Sequence, residues 1–238
     1  FSDKKIKSFL KSKRIPFTKL SSEHAPRLAA RLIAEGKIIG WFQGRMEFGP
    51  RALGARSILG DARSPDMQKK MNLKIKFRES FRPFAPSVLA EQAPRFFDIN
   101  TPSPFMLLTA PVSKQLRRPL TNKDSNKVGL DKLSVQRTKV PAITHVDFSA
   151  RLHTETGQYN NLYKRLLEHF YNITGCPLII NTSFNVRGEP IVCTPEDAYN
   201  CFINTNIDHL FIGSYLISKD KNAPQISAPN HSQKFSPD

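Results

Sequence analysis

Residues 44–59, reading GRMEFGPRALGARSIL, limit what this chain can fold into more than any other stretch. They hold three glycines (Gly44, Gly49, Gly54), one proline (Pro50) and three arginines (Arg45, Arg51, Arg56). Glycine and proline interrupt the run too often for one helix or strand to pass through it. An apolar run at 37–42 precedes it and reads as a buried strand. A strand feeding a glycine- and arginine-rich loop offers backbone N–H groups and guanidinium forks to an anion. A tight surface loop with solvated arginines is the alternative, because the stretch is neither a Walker loop nor a GxGxxG fingerprint.

Two further places carry polar groups at a spacing of two. Lys76 and Arg78 form one pair, and Asn181, Ser183 and Asn185 form a short series after an expected buried strand at 177–180. If the backbone is extended there, alternate side chains point to one side. A point cation and a planar fork on one face, with a hydroxyl and an amide on another, can grip a phosphoryl group and a planar amide-like group. Two ordinary polar loops remain the competing reading.

The three blocks together resemble the C-terminal-domain signature of the O-carbamoyltransferase family, which includes nodulation protein U and the tobramycin enzyme. They are the run at 44–59, KFRESFRPFAP at 76–86, and NTSFN at 181–185 continuing to GEPI at 188–191, in family order. The resemblance implies a YrdC-like α/β fold, an open twisted mixed sheet flanked by helices. In that fold the KxR and SxN motifs surround carbamoyl phosphate or a carbamoyl-adenylate. Carried over by motif, Lys76, Arg78, Ser183 and Asn185 are the expected catalytic residues. GPRALG and HVDxSAR map family arginines at the phosphate and carbamoyl groups onto Arg51 and Arg151. Arg45, Arg56 and Asn181 complete the expected substrate- and nucleotide-binding set. His153 stands where the family usually has glutamine.

The implied reaction is attack of a carbamate-level oxygen on the α-phosphate of ATP, expelling pyrophosphate and leaving O-carbamoyladenylate for transfer to an acceptor hydroxyl. Such chemistry needs positioning and charge stabilisation more than an acid–base triad. Carbamoyl phosphate, ATP and magnesium are therefore the implied ligands. In the family an N-terminal actin-like domain binds iron and the acceptor, so that domain is the implied partner and iron is expected only there.

With 238 residues and 39% hydrophobic content, the chain can bury the core of one large domain or two small ones. No apolar run reaches membrane-spanning length. The chain starts at Phe1 with no signal-peptide pattern, which reads as the cut end of a longer protein. Three cysteines without a CxxC pair argue against a disulfide framework and for a cytoplasmic setting. His145, Asp147 and His153 lack an HxxxH or HExxH pattern, so no metal site is expected.

The net charge of +16 raises nucleic acid as a partner, and a YrdC-like tRNA-binding module is the rival function. Distribution weighs against it. Residues 1–20 carry +6 and 111–140 carry +6, whereas 141–218 carry −3. The basicity sits in a terminus and a loop. A silent interaction domain is a third reading, opposed by the intact KxR and SxN pairs.

The expected layout is a helix end and linker at 1–20, a YrdC-like domain at 21–218 and a disordered tail at 219–238. Within the domain, Ser22 is the expected cap of a helix ending at Gly36, and another helix opens at Ser64-Pro65 and runs through Met67, Met71 and Leu73. Residues 77–90 read as extended, 105–108 as a buried strand, and 113–139 as an exposed basic insertion. A helix is expected at 159–173, a capping box at Thr194, and a final strand with a Gly213 irregularity.

Overall fold

A computed structural model describes residues 1–219 of the chain. All but the first residue of the expected tail lies outside them. Eight strands form one mixed sheet in the order β1 (Thr18–Lys19), β10 (Tyr215–Ser218), β9 (His209–Ile212), β2 (Ile39–Phe42), β3 (Arg56–Gly60), β8 (Leu178–Ser183), β4 (Ala85–Leu89) and β7 (His153–Glu155). The β2–β9 and β4–β7 pairings are parallel and the others antiparallel. β5 (Thr109–Pro111) and β6 (Ser149–Arg151) make a separate antiparallel pair. The mixed α/β class expected from the sequence is thus what the chain adopts.

Helix α2 (His24–Ala34) packs against α6 (Asn161–Thr174), and α6 lies on β4 and β8. Asn160 caps α6 by accepting from the Tyr163 N–H, and Gly175 ends it in a left-handed conformation at φ 69°. The apolar side chains of α6 recur at helical spacing, so Tyr163, Leu166, Leu167 and Phe170 are buried together. Helix α7 (Pro195–Ile203) starts at the expected capping box, in which Thr194 and Asp197 satisfy each other's backbone N–H groups. Short helices α3 (Met67–Met71), α4 (Ala93–Phe96) and α5 (Asn122–Ser125) fill the connections. Among the described residues no helix is long and apolar enough to cross a membrane.

Several expectations are corrected. Within residues 1–20 a helix packs on the domain and a two-residue strand joins the sheet. Helix α1 (Asp3–Ser12) is capped by Ser2, buries Ile6 and Leu10 and packs on α7, and β1 pairs with β10. The α2 start is held by Ser21, whose Oγ accepts from the His24 N–H at 3.0 Å, not by Ser22. Helix α3 begins at Met67, two residues after Pro65, and runs on into a π-helical turn over Asn72–Lys76. Only Ala85–Leu89 of 77–90 is a strand. Residues 105–108 form no strand, with Phe105 at 55% and Leu107 at 70% exposure. A short apolar run has no periodicity to tell a strand from a surface turn. Gly213 is the turn of a hairpin joining β9 to β10.

The segment at 113–139 is mostly exposed and carries only α5 and two 3₁₀ turns. Its two ends meet: Lys139 N–H donates to Leu116 O at 2.9 Å and Arg118 N–H to Arg137 O at 2.7 Å. Arg117 holds this neck, donating to Val112 O at 3.0 Å and lying over the Phe148 ring.

Register decides what the sheet presents. Ser57 opposes Ser183, and Asn181 lies between Leu59 and Ala85. Ser87 opposes Ile179 on one side and His153 on the other. Directly opposed residues, and residues two apart, share a face. Asn181, Ser183, Ser87 and His153 therefore occupy one face, on which His153 stacks against Tyr163 of α6.

If the first 20 residues belong to the core, Leu10→Ala should cost roughly 2–5 kcal/mol, the usual range for emptying a buried leucine site. Leu10 is fully buried. Urea unfolding of the full chain measures it, and a loss below about 0.5 kcal/mol would return this segment to the status of a linker.

Candidate functional site

The loop between β2 and β3 is built around its lone acid. Oε1 of Glu47 accepts from the Leu53 and Ala55 N–H groups, each at 2.7 Å. Three bonds from elsewhere complete the fixing. Ser57 Oγ accepts from the Gly54 N–H, Asn160 Nδ2 donates to Gly54 O, and Asn181 Nδ2 donates to Ala52 O. Gly54 has φ +100°, and a Cβ there would lie 2.3 Å from the Tyr163 ring, so only glycine fits. The loop so held brings Arg51 to the wall of a small cleft.

The KxR pair reaches its position by a route that period-two spacing does not describe. Lys76 ends the π-helical turn, and Phe77 takes the left-handed conformation at φ 47°. A bulky residue there is strained, and the turn it makes lets Lys76 and Arg78 flank the same end of β8. Asn72 organises this turn. Its Nδ2 donates to Ser80 O and Arg82 O, and its Oδ1 accepts from Arg78 Nε at 2.6 Å.

Lys76 is 4% exposed, and among the described residues no carboxylate pairs with it. Its Nζ lies 2.5 Å from Ser183 O, 2.9 Å from Asn185 O, 2.8 Å from Asn185 Oδ1 and 3.3 Å from Ser183 Oγ. Four oxygens surround three protons, so the ammonium ties Ser183 and Asn185 together. Ser183 Oγ donates in turn to Asn185 Oδ1 at 2.7 Å. Burial, aided by the nearby Arg78 charge, lowers the Lys76 pKa to about 7.

The cleft has a volume of about 130 Å³, and Arg51, Arg78, Arg151, Asn181, Thr182 and Ser183 supply its polar lining. Among the described residues no carboxylate lines it. Arg78 lies over the Phe84 ring at 4.9 Å, and burial followed by Arg82 lowers its pKa to about 10. Burial and then the Arg51 charge lower that of Arg151. The Nε atoms of Arg51 and Arg151 and the Oδ1 of Asn181 are buried without a hydrogen-bond partner. Each such group costs about 1–3 kcal/mol, which a ligand with complementary atoms would recover.

Not every expected residue converges here. Arg56 is buried in β3, stacked 3.5 Å from the Phe42 ring centre, and donates to the carbonyls of Gln43 and Ala55. Its guanidinium clamps the start of the loop and does not line the cleft. Arg45 is exposed and borders a separate, larger cavity of about 500 Å³ with Glu47, His153 and Glu155. That cavity is the bigger one, but its carboxylates give it the wrong sign for a phosphate. Sequence reasoning missed Glu47 and Asn72. The only acid in 44–59, and an asparagine next to the buried Met71, were the available signals.

The Lys76 shift makes a signed prediction. With the native pKa near 7 and the unfolded one near 10.5, the unfolded chain holds the extra proton between those values. The cost of burying the charge is complete below about pH 7 and is relieved as pH rises toward 10.5. The stability of the parent relative to Lys76→Met should therefore rise across that window in urea titrations. A difference independent of pH would show that Lys76 stays charged.

Comparison with known proteins gives the following. The Carbamoyltransferase C-terminus family matches residues 30–219. An uncharacterized protein, sll1178 of Synechocystis, is 51% identical over 92% of this chain and 36% of its own length. Nodulation protein NolNO of Sinorhizobium fredii is 43% identical over 83% of this chain and 26% of its own length. Full-length HypF, solved in a phosphate- and nucleotide-bound form, aligns with 89% of this chain and 23% of its own, at 13% identity and a TM-score of 0.46. The chain thus spans little more than a third of these relatives at most. Four-fifths of it lies within one family match, and the motifs singled out in the sequence all fall inside that match: the chain belongs to the carbamoyltransferase C-terminus family.

Proposed function

We propose that this chain binds carbamoyl phosphate and ATP and forms O-carbamoyladenylate. The observation that carries this reading is the carboxylate-free cleft, where three arginines meet and two of them have buried, unpartnered Nε atoms. The Arg51 charge opposes that of Arg151, Arg78 adds a third guanidinium to the lining, and a bound anion turns the repulsion into attraction. About 130 Å³ accommodates a phosphoryl or carbamoyl group but not a whole nucleotide, so the cleft would hold the reacting end.

In the proposed step, water attacks the carbonyl carbon of carbamoyl phosphate, the bond from that carbon to the phosphate oxygen breaks, and carbamate, inorganic phosphate and a proton result. A carbamate oxygen then forms a bond to the α-phosphorus of ATP. The bond from that phosphorus to the bridging oxygen breaks, and pyrophosphate leaves with the electron pair. Arg51, Arg78 and Arg151 would hold the charged oxygens through this exchange. Lys76 acts through Ser183 and Asn185, which it fixes at the cleft's edge. Magnesium would arrive on the triphosphate as its counter-ion, since the cleft lining contributes no carboxylate to hold it. The basic charge of residues 1–20 and 111–140 lies outside the cleft lining, so the nucleic-acid reading draws no support from this geometry.

The test is binding followed by exchange, on the full chain. Arg151→Ala should weaken carbamoyl phosphate binding about 10- to 100-fold in calorimetry, the value of a hydrogen bond to a charged group, with the melting temperature nearly unchanged. Radiolabelled pyrophosphate should enter ATP only when carbamoyl phosphate is present. Equal affinity in the variant, or exchange that ignores carbamoyl phosphate, would overturn the reading.

A further inference from the structure

The cleft is rich in donors, and one acceptor in its lining, Asn181 Oδ1, is buried without a partner. Arg51, Arg78 and Arg151 can only donate. Ser183 Oγ is already engaged with Asn185 Oδ1 and Lys76 Nζ. Asn181 is 1% exposed, and its Oδ1 is buried with no partner.

The orientation of this carboxamide is fixed twice. Its Nδ2 lies 2.9 Å from Ala52 O and 2.8 Å from Ser87 Oγ. A flipped amide would press Oδ1 against the Ala52 carbonyl, which has no proton to offer. The second lock depends on where the Ser87 proton goes. Ser87 Oγ lies 2.7 Å from His153 Nδ1. His153 is 3% exposed and stacked on Tyr163, with ring planes 10° apart, so its ring is held in place. Burial lowers its pKa to about 4, so at neutral pH the imidazole is uncharged. With the Ser87 proton donated to Nδ1, the hydroxyl can only accept from Asn181, and the chain runs Asn181 Nδ2–H to Ser87 to His153.

We infer that His153 and Ser87 are positioning residues that hold Asn181 with its Oδ1 toward the cleft, and that this acceptor selects a ligand bearing an N–H beside its anionic group. The inference rests on the anion reading above and adds to it the basis for preferring a carbamoyl over an acetyl group. Acetyl phosphate has the same shape with a methyl in place of the amino group. It would leave Oδ1 buried and unpaired, and sites built to hydrogen-bond a substrate N–H reject analogues that lack it. A glutamine at position 153 would also offer an acceptor, so the same relay can be made with either residue.

The experiment measures binding of inorganic phosphate, carbamoyl phosphate and acetyl phosphate to the full chain by calorimetry. The parent should bind carbamoyl phosphate at least about 10-fold more tightly than acetyl phosphate. Asn181→Leu should bring that ratio close to one. His153→Leu, which cannot accept the Ser87 proton, should lower it, and His153→Gln should retain it. Should Asn181→Leu fail to fold, the contrast between the two His153 variants and the parent ratio still decide the matter. Phosphate binding with a carbamoyl-to-acetyl ratio near one in the parent, or equal ratios in His153→Leu and His153→Gln, would overturn the inference alone. No binding of any of the three anions would overturn the anion reading and this inference with it.

Discussion

The pairing of β8 between β3 and β4 is the constraint on which the cleft depends. It sets Ser183 opposite Ser57 and Asn181 between Leu59 and Ala85. A slip of one residue would turn both polar side chains to the opposite face and bring Ile180, Thr182 and Phe184 round in exchange. The register is held at both ends by polar bonds. At the start, Leu89 N–H donates to Pro177 O, and at the finish Lys76 binds Ser183 and Asn185. The intervening Leu178, Ile179 and Ile180 are fully buried. Apolar burial supplies the stability of this strand, and the polar ends specify its position.

The strain in this region has a common location. Phe77 occupies a left-handed conformation between Lys76 and Arg78, and Lys76 is buried. Such costs persist only where surrounding packing over-determines the geometry. Here Asn72 fixes the turn from one side and the β8 carbonyl oxygens from the other. Local rules are broken at the same few residues that carry the candidate chemistry, which is where a folded protein tolerates such breaks.

Much of this was legible in the residues. The apolar spacing of α6 and the capping box at Thr194 marked two helices, because both signals are local. The motifs Lys76/Arg78 and Asn181/Ser183 were visible, yet the reason they meet was not. A π turn and a left-handed phenylalanine leave no period in the sequence. Arg51 and Arg56 belong to one glycine-rich stretch of sequence and look alike on paper. They differ because Arg56 has the Phe42 ring to lie on and three carbonyls to bind, those of Gln43, Gly44 and Ala55. Ser87 went unnoticed because its partner Asn181 is 94 residues away. The short run at 105–108 was misread because hydrophobicity without periodicity does not say which way a segment faces.

The neck at Leu116 and Lys139 has a consequence for how the molecule can vary. Ring closure is enforced there by backbone bonds and by Arg117, so whatever spans the gap is tethered to a fixed base. Lengthening such a span is cheap, about 0.6 kcal/mol for each doubling, because the closure entropy grows only logarithmically. Residues 118–137 are therefore a place where insertions and deletions can accumulate, or a reporter peptide be grafted, while β5, β6 and the arginine at position 151 keep their footing.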